Sequence, residues 1–434
     1  MVYLRQLIMD PRFLTTYRRK PTAFTRTRKL TFERVLVGLC QVTKMSLQGC
    51  LNRFFKVLGE ADRVATASAF CQARQHLHAG ALRALNTGIT EFFYREANKS
   101  PLIKTWKGYR LLATDCTYLN LPNTPELRTD FSVHNNKSNK TLVLALGSCL
   151  YDVLNDLVLN FDVTPFQAEK TAIFTSHAVY WRTNDLVIYD RGYADYCVIA
   201  YHIKASQQFI IRCPLKGYFK PITQFLNSSQ TDLVATLTMT PRNRRFIKKY
   251  GLPSSVQVRL VKILLPSGET EVLITSLMDP IQYPRIALSE LYQLRWGVET
   301  YFDRFKNQLD VERFNATKTN EVLQEIYACV LLSTLSSLLS KEIEFNLDSR
   351  PVQRKKPRKY SDQFNWVILY SATMEALTEL LLSSPKFLKT NIENLNRLMQ
   401  QTPTPIRPGR AFKRNASHTR HQLNYRRYKK RLWT

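Results

Sequence analysis

Tyr292, Arg295, Glu299 and Lys306 stand at a Y-x2-R-x3-E-x6-K spacing in "YQLRWGVETYFDRFK", among Leu, Val and Phe. At about 100° per residue, all four fall within roughly 60° of one another on a helix. Leu291, Leu294, Val298, Phe302, Phe305 and Leu309 fall on an adjacent arc, which reads as the face that docks such a helix on a core. A carboxylate framed by cations on one ridge can face a long anion, with Arg295 and Lys306 holding phosphates and Glu299 holding a metal ion. The same pattern also fits an ordinary solvated face with Arg295 and Glu299 paired at i,i+4.

Metal-assisted phosphoryl transfer needs more than one carboxylate, because two hard cations about 3.5 to 4 Å apart must be caged by converging oxygens. Asp115 in "LLATDCTYL" and Asp190 in "LVIYDRGY" each end an apolar run that reads as a buried strand. An acid there is costly unless it meets a cation or a metal. Each alone fits a cap or a salt-bridged structural acid equally well; together with Glu299 they make a set suited to two-metal chemistry on nucleic acid. The charge agrees. Lys and Arg number 63 against 34 Asp and Glu, a formal +29 over 434 residues, and a polyanion relieves that self-repulsion by exchanging counterions for Lys and Arg.

The elements that must carry these groups follow from composition and periodicity. Residues 1–100 read as an all-helical, strongly basic domain, with "YRRKPTAFTRTRK" near its start and Thr66 or Ser68 as an N-cap. That suits DNA binding, and it also suits a helical layer that packs on the rest. Residues 101–213 read as strands and helices in the order βββ-α-β-α-β, hence a mixed sheet covered by helices. Residues 214–278 read as a β-rich insertion, 279–345 as the helix carrying Glu299 and the helix after it, and 346–434 as a basic helical region and tail. The fold class is therefore mixed α/β. "IYACVLLSTLSSLL" falls short of a membrane span and reads as a buried helix, and the N-terminus lacks a signal-peptide layout.

Other chemistry finds less support. The eight cysteines form no C-x-x-C pair, so a zinc site is not expected; they read as small buried hydrophobes in a reducing compartment. His177 reads as a core histidine and His134 as part of a polar loop. Arg191 and Tyr193 read equally as support for Asp190 or as a simple turn, and Trp296, on the far side of Tyr292, fits a packing role. No phosphate-cradling Gly loop is present, so no nucleotide cofactor is expected.

Asp115 in "ATDCTYL", Asp190 in "YDRGY" and the Tyr292–Lys306 run resemble the bacterial insertion-sequence DDE transposases, and more closely the subgroup marked by the Y-R-E-K motif, the IS-four family. The resemblance spans about residues 108–340. It implies a ribonuclease H-like catalytic core with a β insertion, and cut-and-paste transposition driven by two Mg²⁺ ions, with Mn²⁺ as a substitute. By position, Asp115, Asp190 and Glu299 are the implied catalytic metal ligands, and Tyr292, Arg295 and Lys306 the DNA contacts. The implied partner is double-stranded DNA, both transposon ends and target, with a homodimer on DNA and no membrane. The implied location is the cytoplasm, on the nucleoid. Two other readings share the acids: a two-metal DNA endonuclease without strand transfer, and a catalytically silent, transposase-derived DNA-binding protein.

Overall fold

A computed structural model describes the chain from Met1 to Pro405, apart from residue 27 and residues 42–45, 97–100, 136–140, 166–169, 215–218, 265–267, 349–361, 364, 384–387 and 403. The basic segment at 350–359 and the tail beyond 405, both singled out in the sequence, lie outside the described residues.

The N-terminal region is helical, as its periodicity predicts: α1 (Val2–Met9), α2 (Pro11–Tyr17), α3 (Phe32–Leu39), α4 (Leu47–Val57), α5 (Ala67–Arg74) and α6 (Gly80–Glu96). Of the two expected caps for α5, it is Thr66 whose hydroxyl accepts from the amide of Ala69, at 3.2 Å. The chain then runs through β1 (Arg110–Leu121), α7 (Pro125–Asp130), β2 (Ser132–Asn135), β3 (Thr141–Asp152), β4 (Leu157–Pro165), β5 (Asp185–Tyr189), α8 (Tyr196–Lys204) and β6 (Gln208–Cys213). Next come α9 (Lys220–Asn227), β7 (Asp232–Thr238), α10 (Arg244–Tyr250), β8 (Ser255–Leu264) and β9 (Thr270–Thr275). Helices α11 (Arg285–Gln293), α12 (Trp296–Asp303), α13 (Thr319–Asp348), α14 (Trp366–Leu382) and α15 (Leu388–Gln401) complete the main elements, with the two-residue strands β10 (Asp362–Gln363) and β11 (Thr404–Pro405) pairing beside them.

Nine strands form one mixed sheet in the order β2-β3-β1-β5-β6-β9-β8-β7, with β4 paired to β3. The β1–β5 and β5–β6 pairs are parallel, and the other pairs of this sheet are antiparallel. Residues 214–278 supply β7, β8 and β9, and these extend the same sheet through β6 rather than forming one of their own. The segment also holds α9 and α10, which strand periodicity did not suggest. His134 lies in β2, paired with Leu142, and not in a loop.

The two faces of the sheet are covered by different helices. Strand side chains alternate with period two. Leu112, Val187, Phe209 and Ile211 pack with α8 and α9 on one side. Leu111, Leu186, Ile188, Ile210 and Leu273 face Leu288, Leu291 and Tyr292 of α11 on the other. Ala113, further along β1, joins Val298, Tyr301 and Phe302 of α12 and Val322, Ile326 and Val330 of α13.

Helix α13 also closes a second core. Its Tyr327, Leu331, Leu332 and Leu335, with Met374, Leu377 and Leu381 of α14, pack among Leu4, Val35, Phe54, Phe70 and Leu85 of the N-terminal helices. Arg74, 1% exposed, ties this contact together: it donates to Glu325 at 2.7 Å, to Gln324 at 2.9 Å and to the carbonyl of Glu321 at 2.7 Å. The apolar stretch of α13 is longer than the sequence reading allowed. Thr319–Lys341 is long and apolar enough to cross a membrane, yet 83% of its most apolar window is buried inside the protein, as in a core helix.

Candidate active site

Strand register decides where the acids point. In the parallel β1–β5 pair, Thr114 stands beside Tyr189, so Asp115 and Asp190 each come one residue past that level. In the β5–β6 pair, Tyr189 stands beside Ile211, which brings Arg212 level with Asp190. Alternation then fixes the side. Asp115 shares the parity of Leu111 and Ala113, Asp190 that of Leu186 and Ile188, Arg212 that of Ile210, and Glu271 that of Leu273. All four belong to the face covered by α11 and α12, the helices that carry Tyr292 and Glu299.

Buried arginines fix the route of those helices. Arg259 of β8 donates to the carbonyls of Leu277, Asp279 and Tyr283 at 3.0, 3.3 and 2.9 Å, pinning the segment that leads into α11. Arg304, just past α12, donates to Tyr151 Oη and to Asp156, both at 2.8 Å, and lies 3.9 Å from the ring centre of Trp366.

The helical ridge itself is not straight. Regular α-helix stops at Gln293 and resumes at Trp296, with Leu294 and Arg295 in a turn of still right-handed dihedrals, and residues 304–308 form a π turn. The single strip expected for Tyr292, Arg295, Glu299 and Lys306 is thereby cut into pieces. Leu294, expected in the docking stripe, is 41% exposed, whereas Leu291, Val298 and Phe305 are at most 1% exposed. Trp296 is also 41% exposed, so it does not pack as a core residue.

Even so, one guanidinium gathers two of the acids. Arg295, 3% exposed, sits 2.7 Å from Glu299 and 3.8 Å from Asp115. Its cation lies 5.9 Å from the ring centre of Tyr292 and 4.9 Å from that of Trp296. Asp190 pairs with Arg212 at 3.0 Å, and Arg212 reaches Glu271 at 2.7 Å. Tyr292 is 4% exposed, and among the described residues its hydroxyl has no hydrogen-bond partner. Burial pushes the phenol's pKa up, against the pull of Arg295 and Arg212. Lys306 lies apart from this cluster: it donates to the carbonyl of Tyr118 on β1 and pairs with Glu312 at 3.4 Å.

The side chains of Asp115, Asp190 and Glu299 are 23, 32 and 37% exposed, so the acids border solvent rather than sealing a core. Carboxylate oxygens are the donors a hard dication prefers, and in that respect the set fits Mg²⁺ or Mn²⁺. Among the described residues no three His, Cys, Asp or Glu side chains already stand together as a metal cage; the acids are engaged by Arg295 and Arg212 instead.

The remaining candidates sort themselves out. His177 is fully buried between Ser148, 2.8 Å from its Nε2, and Asn160, 3.0 Å from its Nδ1, a core histidine as expected. Residues 191–193 form a 3₁₀ turn in which Tyr193 is buried, its hydroxyl 3.3 Å from Cys116 Sγ, while Arg191 is exposed. The eight cysteines are free thiols. The sequence reading missed Arg212, Glu271 and Glu312. A lone arginine inside the apolar "QFIIRC" was the available signal for the first; nothing local marks the other two.

A model of the family described as "Transposase DDE domain" matches residues 106–335, more than half of the chain. The chain belongs to the DDE transposase family. As a DDE transposase it is an enzyme of DNA strand cleavage and transfer. It is 23% identical over 401 residues to "Transposase InsG for insertion sequence element IS4" of Escherichia coli (strain K12), covering 91% of this chain and 86% of that protein. This transposase also overlaps a solved structure titled "Cryo-EM structure of piggyBac transposase synaptic complex with hairpin DNA (SNHP)", at 12% identity, over 94% of this chain and 86% of that one. The TM-score there is 0.42, too low to assign a fold. The resemblance carried by Asp115, Asp190 and the Tyr292–Lys306 run is thus borne out at the level of the family.

Proposed function

We propose that this transposase acts on the ends of an insertion sequence, cutting them free and joining them to target DNA, with Asp115, Asp190 and Glu299 as its catalytic carboxylates. The observation that carries the reading is a convergence. Parallel register sets Asp115 and Asp190 on neighbouring strands with their side chains on one face, and Arg295 joins Asp115 to Glu299 of the covering helix. The run β4-β3-β1-β5-β6, three antiparallel strands followed by two parallel ones, supports a ribonuclease H-like core within residues 101–213 and 279–345, with 214–278 inserted between them.

Two divalent ions held by the three carboxylates, Mg²⁺ or Mn²⁺, would supply Lewis acidity to a water or a 3′-hydroxyl attacking a DNA phosphate. The chain's own groups do the rest. Arg295, locked by two acids and two rings, offers a fixed positive charge where a phosphate would arrive. Tyr292 keeps a hydroxyl that takes no partner among the described residues and is suited to a phosphate oxygen. Lys306, at the far end of the ridge, grips backbone further along. The basic helical region 1–100 and the net charge of +29 supply sequence-independent affinity for DNA. Chemistry at two ends calls for a homodimer on DNA, and such a protein works in the cytoplasm, on the nucleoid.

The test is an end-joining assay with the full chain, paired copies of the terminal repeats that flank its reading frame, a supercoiled target and Mg²⁺. Joined products are expected, and Asp190→Asn is expected to lower cleavage and joining by roughly 10² to 10⁴ while leaving end binding intact. Cleaved but unjoined ends from the natural protein would favour an endonuclease, and full joining by the variant would remove Asp190 from the site.

A further inference from the structure

We infer that Arg212 and Glu271 form a positioning pair that orients Asp190 for metal binding; this rests on the reading of Asp190 as a metal ligand given above. Arg212 stands on β6 beside Asp190 and spends its two terminal nitrogens in opposite directions. Nη2 donates to Asp190 Oδ1 at 3.0 Å, and Nη1 donates to Glu271 Oε1 at 2.7 Å. Among the described residues, only Oδ1 of Asp190 takes a hydrogen bond. A carboxylate held by one oxygen presents the other along a fixed direction, which is how outer partners tune a metal ligand.

Three features separate this pair from a casual surface bridge. The side chains are 24 and 17% exposed, so solvent screens them only in part. Both strands are central: β6 lies between β5 and β9, and the Arg212–Leu273 pairing of β6 with β9 holds Glu271 two residues away, on the same face. Tyr292 of α11, on the same face, lies within electrostatic reach of the group: the charges of Arg212, Asp190 and Glu271 all act on its hydroxyl. Glu271 is an anion that cannot itself grip a phosphate, and its carboxylate is engaged by Arg212 at 2.7 Å, so its contribution is assigned through Arg212 to Asp190. That makes it the cleaner residue to test.

Glu271→Gln keeps the shape and removes the charge that anchors Arg212. The experiment uses the full chain and Mn²⁺. The half-saturating Mn²⁺ concentration for end cleavage is expected to rise roughly ten- to a hundredfold. The Mn²⁺ concentration that raises the melting temperature should rise with it, since binding to the native state is what produces that shift. End affinity in EDTA and the metal-free melting temperature are expected to stay as in the natural protein. An unchanged Mn²⁺ requirement in both readouts, with Asp190→Ala inactive, overturns the pairing while sparing the site. A loss confined to end affinity overturns it as well. Full activity of Asp190→Ala would instead sink the reading on which the pair rests. Should Glu271→Gln fail to fold, Arg212→Lys, which keeps a charge but not the two-ended fork, is read by the same outcomes.

Discussion

Arg295 holds Glu299 at 2.7 Å across one helical turn, although the helix between Gln293 and Trp296 is interrupted. The pair survives because Arg295 keeps right-handed dihedrals through the turn and because its side chain is walled in by Tyr292 and Trp296. Arg295→Ala is expected to lower end cleavage by about a hundredfold or more, the loss seen when a preorganised charge or donor leaves a transition state. Stability should fall by about 1 to 3 kcal/mol: water can reach Glu299, 37% exposed, but Arg295 is 3% exposed and its packing between two rings is lost. Rates and thermal denaturation on the same preparation would check both halves.

Neutralising any one acid, by Asp115→Asn, Asp190→Asn or Glu299→Gln, is expected to cost about 3 to 5 kcal/mol of transition-state stabilisation, or roughly 10² to 10⁴ in rate. Gel-shift affinity for end DNA should remain. A variant that cleaves at the natural rate removes its residue from the proposed set.

Tyr292→Phe separates a functional hydroxyl from a structural one. The hydroxyl is buried and, among the described residues, has no partner, and a buried unmade hydrogen bond costs about 1 to 3 kcal/mol. The free protein should therefore lose no stability on the change and could gain some, while end cleavage falls. Lower stability with unaltered cleavage is the contrary result.

Two buried histidines give the fold an acid limit. Burial pushes His177 and His202 down to about 3. Their native pKa lies below the ordinary 6.5, so the unfolded chain binds protons that the native one refuses. Their contribution is complete above about pH 6.5 and is lost as pH falls toward 3, with a slope approaching about 1.4 kcal/mol per pH unit for each histidine. Melting temperature measured from pH 7 to 5 should decline accordingly, and His177→Asn should shallow that decline.

Arg74→Ala probes the seam between the N-terminal helices and α13. It strips Glu325, whose side chain is 8% exposed, of its cation, and breaking a buried pair from one side costs about 3 to 5 kcal/mol. Chemical denaturation should show a loss of that order. Glu325→Gln introduced into the same chain should restore part of it.

What the sequence revealed follows from the range of the interactions involved. Asp115 and Asp190 were legible because each ends an apolar run, and strand ends project side chains from a sheet. The ridge from Tyr292 to Lys306 was legible in content but not in shape. A constant 100° per residue cannot foresee the interruption at Leu294 or the π turn at Arg304–Gln308, which is held from outside by Tyr151 and Asp156. Nor could periodicity show that Thr270–Thr275 would pair with Gln208–Cys213. That pairing is made across a long stretch of chain, and with it Arg212 and Glu271 meet.

Helix α13 presents Val322, Ile326 and Val330 to the strand layer and Leu331, Leu332 and Leu335 to the N-terminal helices. A fragment beginning near Ile103 would thus carry every proposed catalytic acid yet leave a row of leucines facing water. Workers who trim the protein to isolate its chemistry should meet precipitation rather than a smaller enzyme, and the two halves expressed as separate polypeptides should find each other.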